Sequence, residues 1–179
     1  MVDATGGRNR RIVLYGNPVL RQPAARVASI TPKTKQLVAD LITTMLQQDG
    51  LGLAANQIGE PVAIIAINPR AAGLDHDPCC IINPQVTFTR GRLEAEEGCL
   101  SFPGLYEVVA RPRLVVVEGT DVEGETTRLS GEGLMARVLA HEVDHLRGIL
   151  FIDHLGSSRR QLLLDRLNEF KKRELLACR

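Results

Sequence analysis

The sequence has no excess of charge of either sign and no long apolar run. Lys and Arg number 22 against 21 Asp and Glu, so no net field attracts the whole molecule to nucleic acid or to a membrane surface. No apolar stretch approaches the roughly 20 residues that a membrane-spanning helix needs. Internal repeats and low-complexity segments are also lacking. We therefore expect neither a membrane nor a specific nucleic acid sequence among the partners.

Cysteine is too sparse and too irregularly spaced to build a disulfide framework. The four cysteines stand at positions 79, 80, 99 and 178, and such usage suits a reducing cytoplasm. The first eleven residues, MVDATGGRNRR, contain no apolar core of a secretory signal. We expect a cytoplasmic protein with one domain over residues 1–179, in which residues 1–11 form a flexible tail. A chain of this length buries about 70% of its unfolded surface.

Two amphipathic segments predict helices near the ends of the chain. In TPKTKQLVADLITTMLQQDG, Thr31 is a favourable N-cap, Pro32 suits the first turn and Gly50 ends the pattern. A C-terminal helix is predicted from about Ser157. Its buried stripe is predicted to comprise Leu163, Leu164, Leu167 and Phe170.

Three segments in the middle of the chain predict strands. They are PVAIIAINP, CCIINPQVTFTR and RLVVVEGTDV. All three are rich in β-branched residues and are bounded or interrupted by Asn-Pro or Gly. Strands in the middle, with helices at the ends and between them, indicate an α+β fold.

The motif with the most chemical content is HEVDH, within LMARVLAHEVDHLRG (134–148). His141 and His145 are four residues apart and therefore share one face of a helix, while Glu142 projects about 100° away from His141. This is the HExxH arrangement, in which two imidazoles bind a metal and a carboxylate acts on a water molecule beside it. Because the pattern fixes only three positions, a chance match on an ordinary buried helix is the alternative.

Two imidazoles do not complete a catalytic metal centre, and the third ligand is open at this point. Metzincin proteases place a third histidine after a glycine, but here Gly148 is followed at the ligand position by Phe151, which cannot bind a metal. A distant glutamate, as in other HExxH proteases, is one alternative. Cys99 in EEGCLSFPG is another, since a thiolate, two imidazoles and an open position form a tetrahedral catalytic site. A lone cysteine is otherwise usually a small buried hydrophobic residue.

A third segment, GLGLAANQIG (50–59), separates these alternatives. A turn into the next strand explains Gly50, but it does not explain why Gln57 lies among such small apolar residues. Taken in order, GLGLAANQ, EGCLS and HEVDH resemble the three signature motifs of the peptide deformylase family. The resemblance covers roughly residues 10 to 170, and three independent motifs in one order make it specific.

The resemblance implies a role for each residue that matches a motif. The implied metal ligands are Cys99, His141 and His145. The implied catalytic groups are Glu142 as general base and acid, with Gln57 and the backbone N–H of Leu100 as donors to an oxyanion. The implied substrate contacts are Leu51, Gly52 and Gly98.

The resemblance also implies an activity and an architecture. The family removes the formyl group from the N-terminal formylmethionine of newly synthesised proteins, so the expected substrates are N-formylmethionyl nascent peptides. Its metal is generally Fe²⁺, with Zn²⁺ or Ni²⁺ as substitutes. Its fold is α+β, with antiparallel β-sheets surrounding the HExxH helix and with an N-terminal and a C-terminal helix.

Two other functional interpretations come from different classes. A non-catalytic relative would keep the scaffold and bind a peptide or a metal, and the loss of Glu142, Cys99 or Gln57 would favour it. All three residues are present. An HExxH endopeptidase with a distant carboxylate ligand does not explain the segment GLGLAANQ.

Three smaller features have more than one interpretation. HDPCC (76–80) suggests a second metal site, but its ligands are too close together to surround one ion easily. Arg137 lies one turn before His141 and forms either a structural ion pair or a wall near a substrate cleft. The role of Arg111 is left open as well.

The C-terminal helix combines its apolar stripe with clustered basic residues. They are Arg159, Arg160, Lys171, Lys172 and Arg173. One hypothesis is that this basic face docks on ribosomal RNA near the point where nascent chains emerge, because basic side chains bind phosphates. The alternative is an ordinary solvated helix face.

Overall fold

The computed structural model describes residues 6–177. Its four α-helices are α1 (Pro32–Gln47), α2 (Leu134–Leu146), α3 (Ser157–Leu162) and α4 (Leu164–Ala177). Its seven strands are β1 (Gly52–Ala54), β2 (Ile64–Ile67), β3 (Cys79–Arg90), β4 (Leu93–Gly98), β5 (Tyr106–Arg111), β6 (Leu114–Thr120) and β7 (Thr126–Glu132). Every strand pair is antiparallel, and the α+β prediction is confirmed. Within residues 6–177 no helix is both long and apolar enough to cross a bilayer.

Helix α1 begins where the sequence predicts. The Thr31 side chain accepts a hydrogen bond from the N–H of Thr34, whose own side chain returns to the N–H of Thr31. This reciprocal cap satisfies two of the N–H groups that a helix terminus leaves unpaired. The buried face of α1 includes Val38, Leu41, Ile42 and Met45, which pack against β1 and β2.

Five strands form one sheet in the order β1-β2-β3-β6-β7, and β4 pairs with β5 in a separate sheet. The three predicted strands correspond to β2, β3 and β6 and are confirmed. Strands β1, β4, β5 and β7 were not predicted. Strand β1 has three residues, and β4 and β7 are mostly polar and exposed, so neither a hydrophobic run nor apolar alternation marks them. Strand β5 buries Glu107 and Arg111 and exposes Tyr106 and Val108, so its burial does not follow its polarity.

Helix α2 carries the HEVDH motif and is buried on most of its circumference. It packs on strands of both sheets, including β1, β5, β6 and β7. Its apolar side chains Met135, Leu139 and Val143 lie in the core with Ile65 and Val117. An internal position of this kind is costly for polar side chains unless they are paired, so the polar residues of α2 need specific partners.

The predicted C-terminal helix is two helices, because a single residue, Leu163, separates α3 from α4. Leu163, Leu167 and Phe170 are buried as predicted, but Leu164 is 43% exposed and the prediction is wrong for it. The buried stripe of α4 instead continues to Glu174. Leu164 is one position away from this stripe, and one position corresponds to about 100° around the helix.

The prediction of a flexible tail over residues 1–11 is corrected for residues 8–11. The N–H of Arg8 donates to Asp40 Oδ1 at 2.9 Å, and the N–H of Arg10 donates to Thr44 Oγ1 at 2.9 Å. These contacts attach the segment to α1, because buried polar groups on that helix need partners. Residues 1–5 lie outside the described part of the chain.

Candidate active site

Three potential metal ligands converge at one point. The Nε2 atoms of His141 and His145 are 3.1 Å apart, and His145 Nε2 is 3.3 Å from Cys99 Sγ. All three ligand atoms lie within 4.8 Å of one another. Donor atoms around a tetrahedral ion are about 3–4 Å apart, so the donor set fits a transition metal. These side chains form the only such cluster in the described residues 6–177.

Two elements bring the ligands together. His141 and His145 are one turn apart on α2, and Cys99 follows Gly98, the last residue of β4. The side chain that the fold places beside the two imidazoles is therefore Cys99. No distant carboxylate takes this place among the residues described. Cys79 and Cys80 lie on β3, where burial raises the pKa of both thiols, and they join no second cluster in the described chain.

A buried carboxylate orients one of the histidines. His141 Nδ1 lies 2.7 Å from Glu97 Oε1, and a hydrogen donated by this nitrogen leaves the lone pair of Nε2 free for a metal. Burial alone would raise the pKa of Glu97, but hydrogen bonds from His141 and Arg111 hold it well below its ordinary range. Glu97 therefore remains a carboxylate that accepts from the ring.

The two arginines left open by the sequence both bind Glu97. Arg111 donates to its two oxygens at 3.0 and 2.6 Å, and Arg137 donates to Oε2 at 2.7 Å. Arg111 also pairs with Asp144, which accepts from His154 as well. Arg137 makes further hydrogen bonds to two backbone carbonyls and lines the cleft described below. Both interpretations of Arg137, ion pair and cleft wall, are therefore realised.

Glu142 is buried beside these ligands without an ion pair. It is 4% exposed, and its Oε2 has no hydrogen-bond partner among the described residues. Burial raises the pKa of Glu142 from 4.5 to about 7. A Cβ atom on Gly52 would lie 2.6 Å from Glu142 Oε1, closer than van der Waals contact allows. Only glycine at position 52 therefore leaves room for this carboxylate.

Gln57 presents its amide nitrogen to the same place. It lies in a short 3-10 helix (Ala55–Ile58) and is 2% exposed. Its Oε1 accepts from the N–H of Ala54 at 2.9 Å, which directs Nε2 towards Cys99 Sγ at 3.4 Å and Ser101 Oγ at 3.3 Å. Gln57 is thus a buried donor with a fixed orientation.

These groups face a cleft of about 390 Å³. The predicted site residues that line it are Leu51, Gly52, Gln57, Gly98, Cys99, Leu100, His141 and Glu142. Apolar walls come from Phe102, Leu105, Leu134 and Val138. His145 lies behind this surface, at 1% exposure. A partly apolar cleft with a few convergent polar groups is typical of a small-substrate site.

The sequence did not predict the polar residues that support the histidines. Glu97 is the first residue of the motif EGCLS, but the motif alone gave it no role. Neighbouring residues of a strand point to opposite faces, and on β4 Glu97 is buried whereas Glu96 is exposed. That signal needed a strand assignment that the polar segment LEAEEG does not provide. Asp144 and His154 meet Arg111 only through the tertiary fold, so no local pattern indicates them.

The chain matches a family model over most of its length. Residues 9–161 match the polypeptide deformylase model. A peptide deformylase from Aquifex aeolicus is 39% identical over 165 residues, which are 91% of this chain and 97% of the relative. One from Thermomicrobium roseum is 43% identical over 151 residues, which are 82% of this chain and 85% of the relative.

Solved structures agree in fold. The crystal structure of a peptide deformylase from Legionella pneumophila matches with a TM-score of 0.84 at 35% identity, covering 93% of this chain and 98% of that one. The crystal structure of the peptide deformylase from Thermus thermophilus matches with a TM-score of 0.83 at 40% identity, covering 92% and 98%. Because these matches cover most of the chain at such identities, the chain belongs to the peptide deformylase family.

Proposed function

We propose that this enzyme hydrolyses the formamide of N-formylmethionyl nascent peptides, with a metal held by Cys99, His141 and His145. The observation that carries the proposal is the meeting of this donor cluster with unpaired, buried Glu142 in one cleft. A formamide is a poor electrophile, so its hydrolysis needs an activated water and a stabilised oxyanion. Each need has a candidate group at this site.

Fe²⁺ is the metal proposed, with Zn²⁺ or Ni²⁺ as substitutes. The donor set of one thiolate and two imidazoles is a set that these ions accept. When bound, such an ion acts as a Lewis acid and lowers the pKa of water. The thiolate adds negative charge and makes an iron-loaded site sensitive to oxidation.

Glu142 is proposed as the general base and then the general acid. Its carboxylate takes a proton from the attacking water and delivers it to the departing amine. Proton transfer of this kind contributes about 10²–10⁴ in rate when the pKa of the group is near the working pH. The lack of a competing partner for Oε2 supports this role.

Gln57 and the backbone N–H of Leu100 are proposed as donors to the developing oxyanion. Gln57 Nε2 is held near Cys99, and Leu100 directly follows that residue along the cleft. Removal of one such donor typically costs about 10²–10³ in kcat. The substrate backbone is proposed to lie along Leu51, Gly52 and Gly98, since the glycines allow close approach of a peptide.

Formate release from formyl-Met-Ala-Ser tests this function, with acetyl-Met-Ala-Ser as the matched control. We expect formate from the first peptide and no acetate from the second. The acyl group must fit beside Glu142 and Gly52, and acetyl carries a methyl group where formyl has only a hydrogen. Hydrolysis of an internal peptide bond without formate release would favour an endopeptidase. Metal or peptide binding without hydrolysis would favour a non-catalytic relative.

Metal content tests the proposed ligands. Cys99→Ser is expected to lose most bound metal, whereas Cys79→Ser and Cys80→Ser retain it, because those thiols are on β3 away from the histidines. Cys178→Ser is a further control, although Cys178 lies outside the described residues. If Cys99→Ser retained its metal and the β3 variants lost theirs, Cys99 would not be the ligand.

Cytoplasmic location, one domain over residues 1–179 and docking on the ribosome are retained as proposals. All five basic residues are exposed, but Arg159 already pairs with Glu107 at 2.7 Å and is less available to bind phosphate. Replacement of Arg160, Lys171, Lys172 and Arg173 by Gln is expected to weaken co-sedimentation with ribosomes at low salt. Unchanged co-sedimentation would support a solvated helix face.

A further inference from the structure

The segment Val13–Asn17 lies between the candidate catalytic loops and α4. Its first three N–H groups point to both sides, and the chain then turns at Tyr15 and Gly16, where the N–H of Asn17 donates to the carbonyl oxygen of Leu14 at 3.1 Å. The N–H groups of Val13 and Tyr15 donate to the loops, and the N–H of Leu14 donates to a side chain of α4. The segment therefore connects the C-terminal helix to the site through hydrogen bonds.

On the catalytic side, the segment holds the two stretches that carry the proposed oxyanion donors. Val13 N–H donates to the carbonyl oxygen of Gln57 at 2.9 Å. Tyr15 N–H donates to the carbonyl oxygen of Ser101 at 3.0 Å, one residue beyond Leu100. Displacement of either carbonyl would move Gln57 Nε2 or the N–H of Leu100.

On the helix side, the partner is Glu174, which is only 3% exposed. Its Oε2 accepts from Leu14 N–H at 2.9 Å and from Arg11 Nη2 at 2.5 Å. Its Oε1 accepts from Asn17 Nδ2 at 2.8 Å. A buried carboxylate with several donors is held in one geometry, since loss of a donor leaves charge unpaired.

Packing adds a second connection between the same elements. The ring of Phe102, which follows Ser101, lies 5.0 Å from the ring of Tyr15 and 5.8 Å from that of Phe170 on α4. A Cβ on Gly16 would lie 2.8 Å from Lys171 Cα. The segment and α4 are therefore in direct backbone contact, with little room for movement.

We propose that Glu174 is a positioning residue for the oxyanion donors, acting through the Val13–Asn17 segment on Gln57 and on the Cys99–Ser101 loop. The C-terminal helix thereby becomes part of what defines the catalytic geometry, beyond any role in docking. This inference rests on the proposed function. A displacement of about 1 Å in a catalytic group can cost up to about 10² in rate.

A double-mutant cycle measures this coupling, with kcat and KM for formyl-Met-Ala-Ser in the wild type, Glu174→Gln, Gln57→Ala and the double variant. All are assayed below their unfolding temperatures, alongside metal content. Glu174→Gln is expected to lower kcat about 10-fold, with KM and metal content nearly unchanged. In the Gln57→Ala background the same change is expected to cost clearly less, about threefold, because one of the two donors that it positions is gone. Glu169→Gln, on the exposed face of α4, is expected to leave kcat unchanged.

An equal loss of kcat in both backgrounds overturns the proposal, as does a loss confined to KM or to metal content. If Glu174→Gln is unfolded at the assay temperature, Asn17→Ser replaces it in the same cycle with Gln57→Ala, and the same outcomes support or overturn the proposal. Serine retains a capping hydroxyl but is too short to reach Glu174. Absence of formate release by the wild type would overturn the proposed function itself, whereas an active wild type with an additive cycle overturns only the positioning role.

Discussion

Glu142 on α2 and Glu174 on α4 are equally buried glutamates with opposite surroundings. Glu142 is 4% exposed, and its Oε2 has no partner among the described residues. Glu174 is 3% exposed and accepts hydrogen bonds from a backbone N–H, an amide and a guanidinium. Burial of a carboxylate costs free energy unless it is paired, so only Glu174 is explained by the fold alone.

The difference shows how a buried charge indicates function. A paired carboxylate such as Glu174 stabilises one arrangement of the chain, and Asp40 on α1 is a second case, with donors from Arg8, Arg10 and Gln36. An unpaired carboxylate destabilises the folded protein and persists where chemistry needs it. We propose that Glu142 belongs to this class, and Gly52 leaves the space that its carboxylate occupies.

The largest effect is expected from removal of the unpaired charge. Glu142→Gln keeps the shape of the side chain but cannot accept a proton, so kcat is expected to fall about 10²–10⁴-fold. Metal content is expected to remain because all three proposed ligands remain. The unfolding temperature should stay the same or rise, since an unpaired buried carboxyl is replaced by a neutral amide. Formate release within a few-fold of the wild type would remove Glu142 from the mechanism.

A smaller loss is expected when the space beside Glu142 is filled. Gly52→Ala places a Cβ 2.6 Å from Glu142 Oε1, which must displace the carboxylate, and kcat is expected to fall about 10²-fold. Gly156→Ala is the matched control, because a Cβ there meets no atom within 4 Å. If both variants retain full kcat by formate assay, the close contact at Gly52 has no catalytic importance.

The smallest effect concerns the paired carboxylate of α1 and its dependence on pH. Burial alone would raise the pKa of Asp40, but hydrogen bonds from Arg8, Gln36 and Arg10 hold it below its ordinary value of 3.8. The folded state therefore binds fewer protons, so Asp40 contributes stability above that value and loses it as the pH falls through the folded pKa. Asp40→Asn should lower the unfolding free energy by about 1 kcal/mol at neutral pH and by less in acid. Urea titrations at several pH values measure this difference, and a cost that does not depend on pH would contradict it.

Local patterns predicted the parts of the fold that local physics determines. The Thr31 cap, the apolar strands and the histidine spacing on α2 each appear where the residues indicate. Strand β4 was missed because its exposed, acidic residues gain their conformation from pairing with β5. The break at Leu163 was missed because the apolar residues run continuously across it.

The candidate site likewise contains residues that the sequence indicated and residues that only the complete fold brings together. Cys99 and Gln57 were indicated only by their motifs and by family resemblance, and the structure brings both beside the histidines. The contacts of Glu97 with Arg111 and Arg137 join β4, β5 and α2. Those of Glu174 join residues more than 150 positions apart. Contacts over such separations depend on the complete fold, so no window of sequence contains them.

The proposed metal site is best tested by whether formate release depends on bound metal. Formate release from formyl-Met-Ala-Ser should be measured on one anaerobic preparation as purified, after chelation, and after return of one equivalent of Fe²⁺. We expect activity in the first sample, its loss with the metal in the second and its recovery in the third. We expect Cys99→Ser to recover none. Full formate release by metal-free protein would contradict the proposal that hydrolysis needs a metal held by Cys99, His141 and His145.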